Sequence, residues 1–264
     1  MNLMHEKKQG HKILIGMVHC LPLPGTYGAE TTIEQVIARA VSDAKLLQAC
    51  GFDAVMVENE DLGTAPRMSK IQYAGMSMVA QAVRSAVSIP IGLCCGGLNY
   101  EEALSICQVA GGEFFRAPIF VDTVMNYNGI IPPCSPQVLE YRRKIGGEHI
   151  QILADIQVKY YYMVNSSISI TQSARWAARQ GADAVIVTGS ASGVETSMED
   201  LQKVKGSISI PVAVGSGVTV DNIAQQIKWA DILIIGTALR KDGKMTQPID
   251  PCRAKAIVAA ARGK

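Results

Sequence analysis

Eight short apolar runs, each followed by a segment with helical periodicity, constrain the fold of this chain of 264 residues. Most of the runs are continuously apolar, which is typical of strands buried on both faces of a parallel sheet. Strict alternation of strands and helices over one chain of this length predicts an α/β protein with a single (β/α)8 TIM barrel. The predicted strands are 12–19, 53–58, 89–94, 113–117, 150–155, 183–188, 210–215 and 231–236.

An internal repeat favours a barrel over an open sheet. Residues 51–57 resemble residues 181–187, and residues 88–92 resemble residues 209–213. The second and third predicted strands therefore resemble the sixth and seventh, an offset of four units. We expect this offset in a barrel built from two half-barrels, whereas a doubly wound sheet gives no reason for it. Chance similarity between two buried strand–turn segments is the alternative.

The first predicted helix has recognisable ends. Residues 32–49 place apolar side chains on one helical face, and Gly51 follows as the expected C-terminal stop. Thr31 and Glu34 have the spacing of a capping box, which predicts that these two side chains cap the start of this helix.

Composition and charge exclude several classes of protein. A net charge of +2 without a concentrated basic stripe argues against a nucleic-acid partner. No apolar run approaches the length of a transmembrane helix, so membrane insertion is not expected. Seven cysteines, an odd number without C-x-x-C spacing, indicate reduced thiols and a cytoplasmic protein.

Nothing in the sequence marks a linker or a second domain. We predict one barrel domain over residues 12–264, preceded by a polar N-terminal tail over residues 1–11. Two predicted loops, 59–73 and 118–134, are long, and we interpret them as lids or subunit contacts. Three consecutive tyrosines at 160–162 add aromatic surface for a ligand or a neighbouring subunit, and a homo-oligomer is expected.

Small residues follow the last two predicted strands. Gly215, Ser216 and Gly217 follow the seventh run, and Gly236 and Thr237 follow the eighth. Glycines let backbone N–H groups approach an anion closely, and the loops after strands seven and eight are the usual phosphate site of a (β/α)8 barrel. We therefore predict that these residues bind the phosphate of a small ligand. Two further predicted phosphate-site residues follow the sixth run, namely Thr188 and Ser190.

Charged side chains end several of the other runs, where barrel enzymes place their catalytic groups. Asp155 is the strongest candidate acid or base, because a carboxylate in a barrel mouth needs a partner or a function. Lys159 lies four residues later and supplies a cation or an amine, or a salt bridge that only holds the loop. Glu58 and His19 are candidate second proton carriers, although His19 alternatively only bonds a loop carbonyl. Arg116 binds an anionic group of the ligand or belongs to a structural ion pair.

The carboxylates also raise a metal hypothesis. Glu58, Asp122 and Asp155 carry the oxygen ligands that Mg²⁺ prefers together with a substrate phosphate. Spacing along the chain does not show whether they converge, so Mg²⁺ stays an open alternative. No other cofactor is implied by the sequence.

Seven segments, taken together and in order, resemble the BtpA/SgcQ family, within the ribulose-phosphate-binding group of TIM barrels. The resemblance implies this barrel type, and it implies an involvement in photosystem I biogenesis or an association with sugar-uptake systems. The segments that carry it are 18–25, 57–59, 153–155, 158–159, 187–190, 214–219 and 235–238.

Three functional interpretations remain open. The first is an enzyme that acts on a phosphorylated sugar or similar small phosphate ester by acid–base chemistry, as a lyase or aldolase, an isomerase or a glycosidic hydrolase. The second is a non-catalytic assembly or biogenesis factor that retains the barrel. The third is a metal-dependent hydrolase of nucleotides or nucleosides.

Overall fold

The computed structural model describes residues 11–59 and 67–263, which form eleven strands and eight α-helices. The strand bounds lie within two residues of the predicted ends, so all eight predicted strands are confirmed. Apart from His11, the predicted tail lies outside the described residues. The strands are β1 Ile13–His19, β2 Ala54–Glu58, β3 Ile91–Cys94, β4 Phe114–Ala117, β5 Val124–Asn126, β6 Gly129–Ile131, β7 Gln151–Asp155, β8 Tyr162–Met163, β9 Ala184–Val187, β10 Val212–Val214 and β11 Ile232–Ile235.

Helices separate the barrel strands and cover the outside of the barrel. The first helix begins one residue later than the predicted cap: Thr32 and Gln35 form the capping box, and the pairing of Thr31 with Glu34 is wrong. The Thr31 hydroxyl instead donates to the carbonyl of Pro22. The helices are α1 Ile33–Cys50, α2 Lys70–Ala86, α3 Tyr100–Ala110, α4 Ser135–Lys144, α5 Ile170–Arg179, α6 Met198–Lys205, α7 Ile223–Gln226 and α8 Pro251–Arg262.

Eight parallel strands close into a barrel in the order β1-β2-β3-β4-β7-β9-β10-β11, and β11 pairs with β1. The barrel interior is filled by apolar side chains rather than open, as in other TIM barrels. Phe114 crosses this interior, and a Cβ on Gly92 would lie 2.1 Å from its ring. Chemistry is therefore restricted to the ends of the barrel.

The predicted half-barrel repeat corresponds to a shared local contact. Asp53, just before β2, accepts a hydrogen bond from the N–H of Leu14 at the start of β1 (2.7 Å). Asp183, just before β9, accepts one from the N–H of Ile152 at the start of β7 (2.8 Å). These two strand pairs are four barrel positions apart. The aspartate of the repeated glycine–x–aspartate pattern therefore makes the same contact between neighbouring strands in each half of the barrel.

A small antiparallel sheet, β6-β5-β8, lies outside the barrel wall and is built from the chain that follows β4 and β7. Its inner side packs through Val124 on Ile119 and Val158. On its outer side Met125, which pairs with Ile130 and Tyr162, is exposed together with them. The predicted loop 118–134 therefore contains a hairpin. Most of the predicted loop 59–73 lies outside the described residues, and α2 begins at Lys70.

Within residues 11–59 and 67–263, no helix combines the length and the apolar character needed to cross a membrane. All seven cysteines lie in this part of the chain, and none forms a disulfide.

Candidate active site

A cavity of about 300 Å³ opens at the carboxyl ends of the barrel strands. Its walls come from the ends of β1, β2, β3, β4, β10 and β11, and from the loops that follow β7 and β9. Counting Thr237, which also lines the cavity, nine predicted site residues come together here: His19, Glu58, Arg116, Lys159, Gly215, Ser216, Gly217, Gly236 and Thr237.

His19 and Glu58 form an acid–base pair on the cavity floor. They are direct neighbours in the register of β1 and β2, which brings the imidazole Nε2 to 3.3 Å from the Glu58 carboxylate. Both side chains are largely buried, His19 at 9% exposure and Glu58 at 15%. Gly236 leaves the space that the imidazole occupies, because a Cβ there would lie 2.7 Å from His19 Cε1. The acid–base pair therefore lies directly against the predicted phosphate turn.

The surroundings of Glu58 keep its carboxylate ionised. Burial raises its pKa, but the hydrogen bond and charge of His19 outweigh burial, and Arg116 adds a further favourable charge. With a hydrogen bond from Cys94, these contacts lower the pKa of Glu58 to about 2. Burial raises the pKa of Cys94 well above its ordinary value, so this residue stays a neutral thiol. Glu58 is thus an anion at neutral pH, where it can balance a positive charge on the His19 imidazole.

The depressed pKa of Glu58 predicts a dependence of stability on pH. Because the folded-state pKa lies below the ordinary 4.5, ionised Glu58 contributes stability that is fully present above about pH 4.5 and lost as the pH falls to about 2. A Glu58→Gln variant cannot titrate at this position. The difference in free energy of unfolding between wild type and variant, measured by urea unfolding, should change in favour of the variant across that window. A constant difference would contradict the assigned pKa.

Arg116 and Asp155 form a buried, two-pronged ion pair. Arg116 Nε donates to Asp155 Oδ2 at 2.8 Å, and its Nη2 donates to Oδ1 at 2.9 Å. The guanidinium also reaches across the barrel, since Nη2 lies 3.7 Å from the position of a Cβ on Gly215. Pairing with Asp155 outweighs burial and raises the pKa of Arg116, so it remains a cation. Arg116 was interpreted either as a binder of an anionic ligand group or as a member of a structural ion pair. The structure shows the ion pair.

Asp155 does not line the cavity. Its side chain is 0% exposed, and both of its oxygens accept hydrogen bonds from Arg116. Its partner is Arg116 and not Lys159, so the structure does not contain the salt bridge that was the alternative interpretation of Lys159. This position gives Asp155 the role of fixing Arg116 beneath the cavity, whereas Glu58 is the carboxylate that lines it.

Lys159 lies on the cavity wall opposite the acid–base pair. Its Nζ donates to Ser192 Oγ at 2.8 Å, and its backbone N–H donates to Thr188 Oγ1 at 3.2 Å. Two residues near it, Gln157 and Tyr160, have left-handed backbone conformations (φ 47° and 68°), which are unfavourable for residues other than glycine. Such strain clusters at functional sites, so this segment supports a functional role for Lys159.

Asp122 holds the strained segment in place rather than a metal. Its Oδ2 accepts the N–H of Gln157 at 2.7 Å, and its Oδ1 accepts the hydroxyl of Ser173 at 2.7 Å. Glu58, Asp122 and Asp155 therefore do not converge, so the described residues do not support the alternative of a Mg²⁺ site built from these three carboxylates. Among the residues that the structure describes, no group of three or more histidine, cysteine or acidic side chains is placed to hold a metal ion.

The turn after β10 places glycines where the chain passes close to other backbone. Gly217 has φ 68°, and a Cβ there would lie 2.3 Å from the Cα of Glu195. Ser216 Oγ accepts the N–H of Gly189 at 2.6 Å and donates to the carbonyl of Val194 at 2.9 Å. The hydroxyl of Ser216 therefore joins the turn after β10 to the loop after β9. An anion at this turn would be bound by backbone N–H groups and not by that hydroxyl.

Four backbone N–H groups on the two turns have no partner within the described part of the chain. They belong to Gly217 and Val218 after β10 and to Thr237 and Ala238 after β11, and all four residues line the cavity. Unpaired N–H groups on glycine-rich turns suit an anionic oxygen. Thr188 and Ser190 do not line the cavity: Thr188 supports Lys159, and Ser190 is exposed.

Asn59 also lies in the site, although the sequence provided no reason to assign it a role there. It follows Glu58, lines the cavity and is 1% exposed. Its side-chain amide nitrogen has no hydrogen-bond partner among the described residues. Its position one residue beyond a predicted strand end was the available signal, but only the structure shows that the amide is both buried and unpaired.

Comparison with known proteins assigns the family. A sequence model of the BtpA family matches residues 10–263. The chain belongs to the BtpA family. An uncharacterised protein of Methanocaldococcus jannaschii is 36% identical over 251 residues, which are 94% of each chain. The photosystem I biogenesis protein BtpA of Synechocystis sp. is 30% identical over 255 residues, covering 96% of this chain and 88% of that protein.

Solved structures confirm the TIM-barrel fold of this BtpA-family chain. (S)-3-O-geranylgeranylglyceryl phosphate synthase from Thermoplasma acidophilum, in complex with its substrate sn-glycerol-1-phosphate, has a TM-score of 0.65 at 16% identity and matches over 100% of both chains. N-(5'-phosphoribosyl)anthranilate isomerase from Pyrococcus furiosus has a TM-score of 0.59 at 14% identity, over 96% of this chain and 100% of that chain.

Proposed function

We propose that this BtpA-family barrel is an enzyme that acts on a phosphorylated sugar or a similar small phosphate ester by acid–base chemistry. One observation carries the proposal: the buried His19–Glu58 pair lies against Gly236, in the same cavity as the two turns with unpaired backbone N–H groups. A ligand that is anchored by its phosphate on those turns then has its adjoining carbon atoms within reach of a proton acceptor. The solved structures with this fold include a complex with sn-glycerol-1-phosphate, which agrees with such a ligand.

Each charged residue has a distinct role in the proposed reaction. Glu58, held as the carboxylate, stabilises the positive charge that His19 gains when its imidazole takes a proton. Lys159 stabilises negative charge that develops on a substrate oxygen, because its ammonium faces the cavity and its observed side-chain hydrogen-bond partner is the neutral Ser192 hydroxyl. Arg116, fixed by its ion pair with Asp155, lines the same cavity and leaves its remaining N–H groups as hydrogen-bond donors. Lyase or aldolase, isomerase and glycosidic-hydrolase reactions all use these elements.

Thermal unfolding with a panel of phosphate esters tests the ligand class. The panel contains sugar phosphates, nucleotides, free sugars and inorganic phosphate. A ligand at a hundredfold its dissociation constant adds about 2.7 kcal/mol to the free energy of unfolding, which raises the midpoint by several degrees for a chain of roughly this size. If free sugars stabilise the protein as well as their phosphates do, the phosphate site is contradicted.

A matched pair of substitutions locates the phosphate. Thr237→Asp places a negative charge on the turn after β11, where repulsion of a bound phosphate is expected to weaken binding by about a hundredfold, as like charges in contact cost several kcal/mol. Ser190→Asp adds the same charge outside the cavity and should bind sugar phosphates as the wild type does. Isothermal titration of both variants measures the effect. Equal loss in both variants would indicate a general charge effect and not a phosphate on this turn.

A second candidate function follows from the relative in Synechocystis sp., which is named a photosystem I biogenesis protein. A non-catalytic assembly factor that retains the barrel would bind a phosphate ester without converting it. Incubation of the protein with each ester that raises the unfolding midpoint, followed by mass spectrometry of the mixture, separates the two functions. Conversion that is lost in Glu58→Gln supports the enzyme. Stable binding without any product supports the assembly factor.

A further inference from the structure

Asn59 is held in place by its backbone, while its side-chain amide nitrogen has no hydrogen-bond partner among the described residues. The Asn59 N–H donates to the carbonyl of Cys94 at 3.1 Å, which fixes the residue between the ends of β2 and β3. Its side chain is almost fully buried, and the amide nitrogen donates to no group in the described part of the chain. A buried donor without an acceptor destabilises the folded protein, because the hydrogen bonds that it made to water are not replaced.

Asn99, the asparagine that follows the next strand end, shows the opposite arrangement. Its amide nitrogen donates to the carbonyls of Cys95 and Gly96, both at 3.1 Å, and its oxygen accepts the N–H of Met68 at 3.0 Å. Asn99 is equally buried, but every one of these contacts ties loops together, and it does not line the cavity. Asn99 is therefore a structural residue, and the contrast shows that burial alone does not explain Asn59.

We infer that Asn59 is a ligand-recognition residue: when a ligand binds, its side chain turns so that the amide nitrogen, otherwise shielded from solvent, donates a hydrogen bond to a substrate oxygen. This inference rests on the proposed function. Asn59 lies at the end of β2, and the phosphate turn lies at the end of β11, two strands away through β1. With a strand spacing of about 4.8 Å, the two strand ends are about 10 Å apart along the barrel wall. The recognised oxygen is thus a hydroxyl or carbonyl oxygen remote from the phosphate, as in a phosphorylated sugar, and His19 and Glu58 lie between the two anchors.

Two variants test this assignment without any ligand. Asn59→Leu replaces the unpaired donor with an apolar side chain of similar size, so the variant should unfold at a higher temperature than the wild type. Asn99→Leu removes three hydrogen bonds and should unfold at a lower temperature. If Asn59→Leu lowers the unfolding temperature as Asn99→Leu does, Asn59 is structural and the inference is overturned.

Calorimetric titration of the wild type and Asn59→Leu with ribose 5-phosphate and inorganic phosphate tests the recognised group. Loss of one hydrogen bond to the sugar should weaken ribose 5-phosphate binding by about tenfold. Binding of inorganic phosphate should be unchanged, because the turns that hold it are untouched. Equal weakening of both probes would overturn the assignment to a remote oxygen. If the wild type binds neither probe, the proposed function is contradicted and the inference falls with it. The unfolding comparison, which needs no ligand, then shows separately whether Asn59 has the structural role of Asn99.

Discussion

Replacing Asp155 by alanine is expected to destabilise the protein by about 3–5 kcal/mol, because the change leaves the guanidinium of Arg116 buried without its counter-charge. Both hydrogen bonds between the two side chains are short, and the pair is enclosed, with Arg116 only 5% exposed. The midpoint of thermal unfolding should fall by roughly 10 °C for a chain of about this size. Calorimetry or circular dichroism during heating measures this directly.

A double variant without either charge separates the effect of the lost ion pair from the effect of the lost volume. Arg116→Met combined with Asp155→Leu removes both charges and refills the space, and such replacements of buried pairs are close to neutral or stabilising. The double variant should therefore recover most of the stability that Asp155→Ala loses. Glu199→Ala, which breaks the exposed pair between Glu199 and Lys203, serves as a surface control and should change the unfolding midpoint little.

A further variant, Asp155→Asn, decides between two roles of Asp155. If it positions Arg116, Asp155→Asn should lose stability together with any activity. An Asp155→Asn protein as stable as the wild type but without turnover would restore the sequence hypothesis that Asp155 is itself the proton carrier. A full loss of stability in the double variant would show that shape, and not charge, makes this position sensitive.

The fold was predictable because buried parallel strands have a strong sequence signature. The run before Gly236 was predicted as 231–236 and is Ile232–Ile235, since a continuous apolar stretch between turn residues admits few other structures. The small sheet was not predicted. Its strand β8 has only two residues, Tyr162 and Met163, which is too short to show the alternation that identifies a strand.

The site was predictable as a set of strand ends but not as a set of contacts. His19 lies beside Glu58 because of the register between β1 and β2. That register cannot be read from the apolar pattern of the two strands. A salt bridge between Asp155 and Lys159 was one alternative because the two are close along the chain, whereas Arg116 on the neighbouring strand occupies both carboxylate oxygens. No role for Asn59 could be predicted, because its distinguishing property is an amide nitrogen without a hydrogen-bond partner among the described residues, which only the three-dimensional structure reveals.

Replacing Gly217 by alanine is expected to destabilise the protein by about 2–5 kcal/mol, for two separable reasons. Its φ of 68° is unfavourable for any side chain, and a Cβ would come within 2.4 Å of the Glu195 backbone, which cannot move aside as a flexible side chain can. Gly146 has nearly the same φ, 67°, but no atom within 4 Å of its Cβ position. Gly146→Ala therefore measures the conformational cost alone, roughly 1–2 kcal/mol.

The difference between these two alanine variants isolates the close approach of the turn after β10 to the loop after β9. Urea unfolding should show a clearly larger loss for Gly217→Ala than for Gly146→Ala. A Gly217→Ala protein that remains folded should also bind sugar phosphates more weakly, because a displaced turn misdirects the N–H groups of Gly217 and Val218, whereas Gly146→Ala should bind normally. Equal losses of stability in the two variants would mean that the turn yields easily. The glycine would then serve backbone conformation alone, and the two loops would not hold the turn in the position that the proposed phosphate site requires.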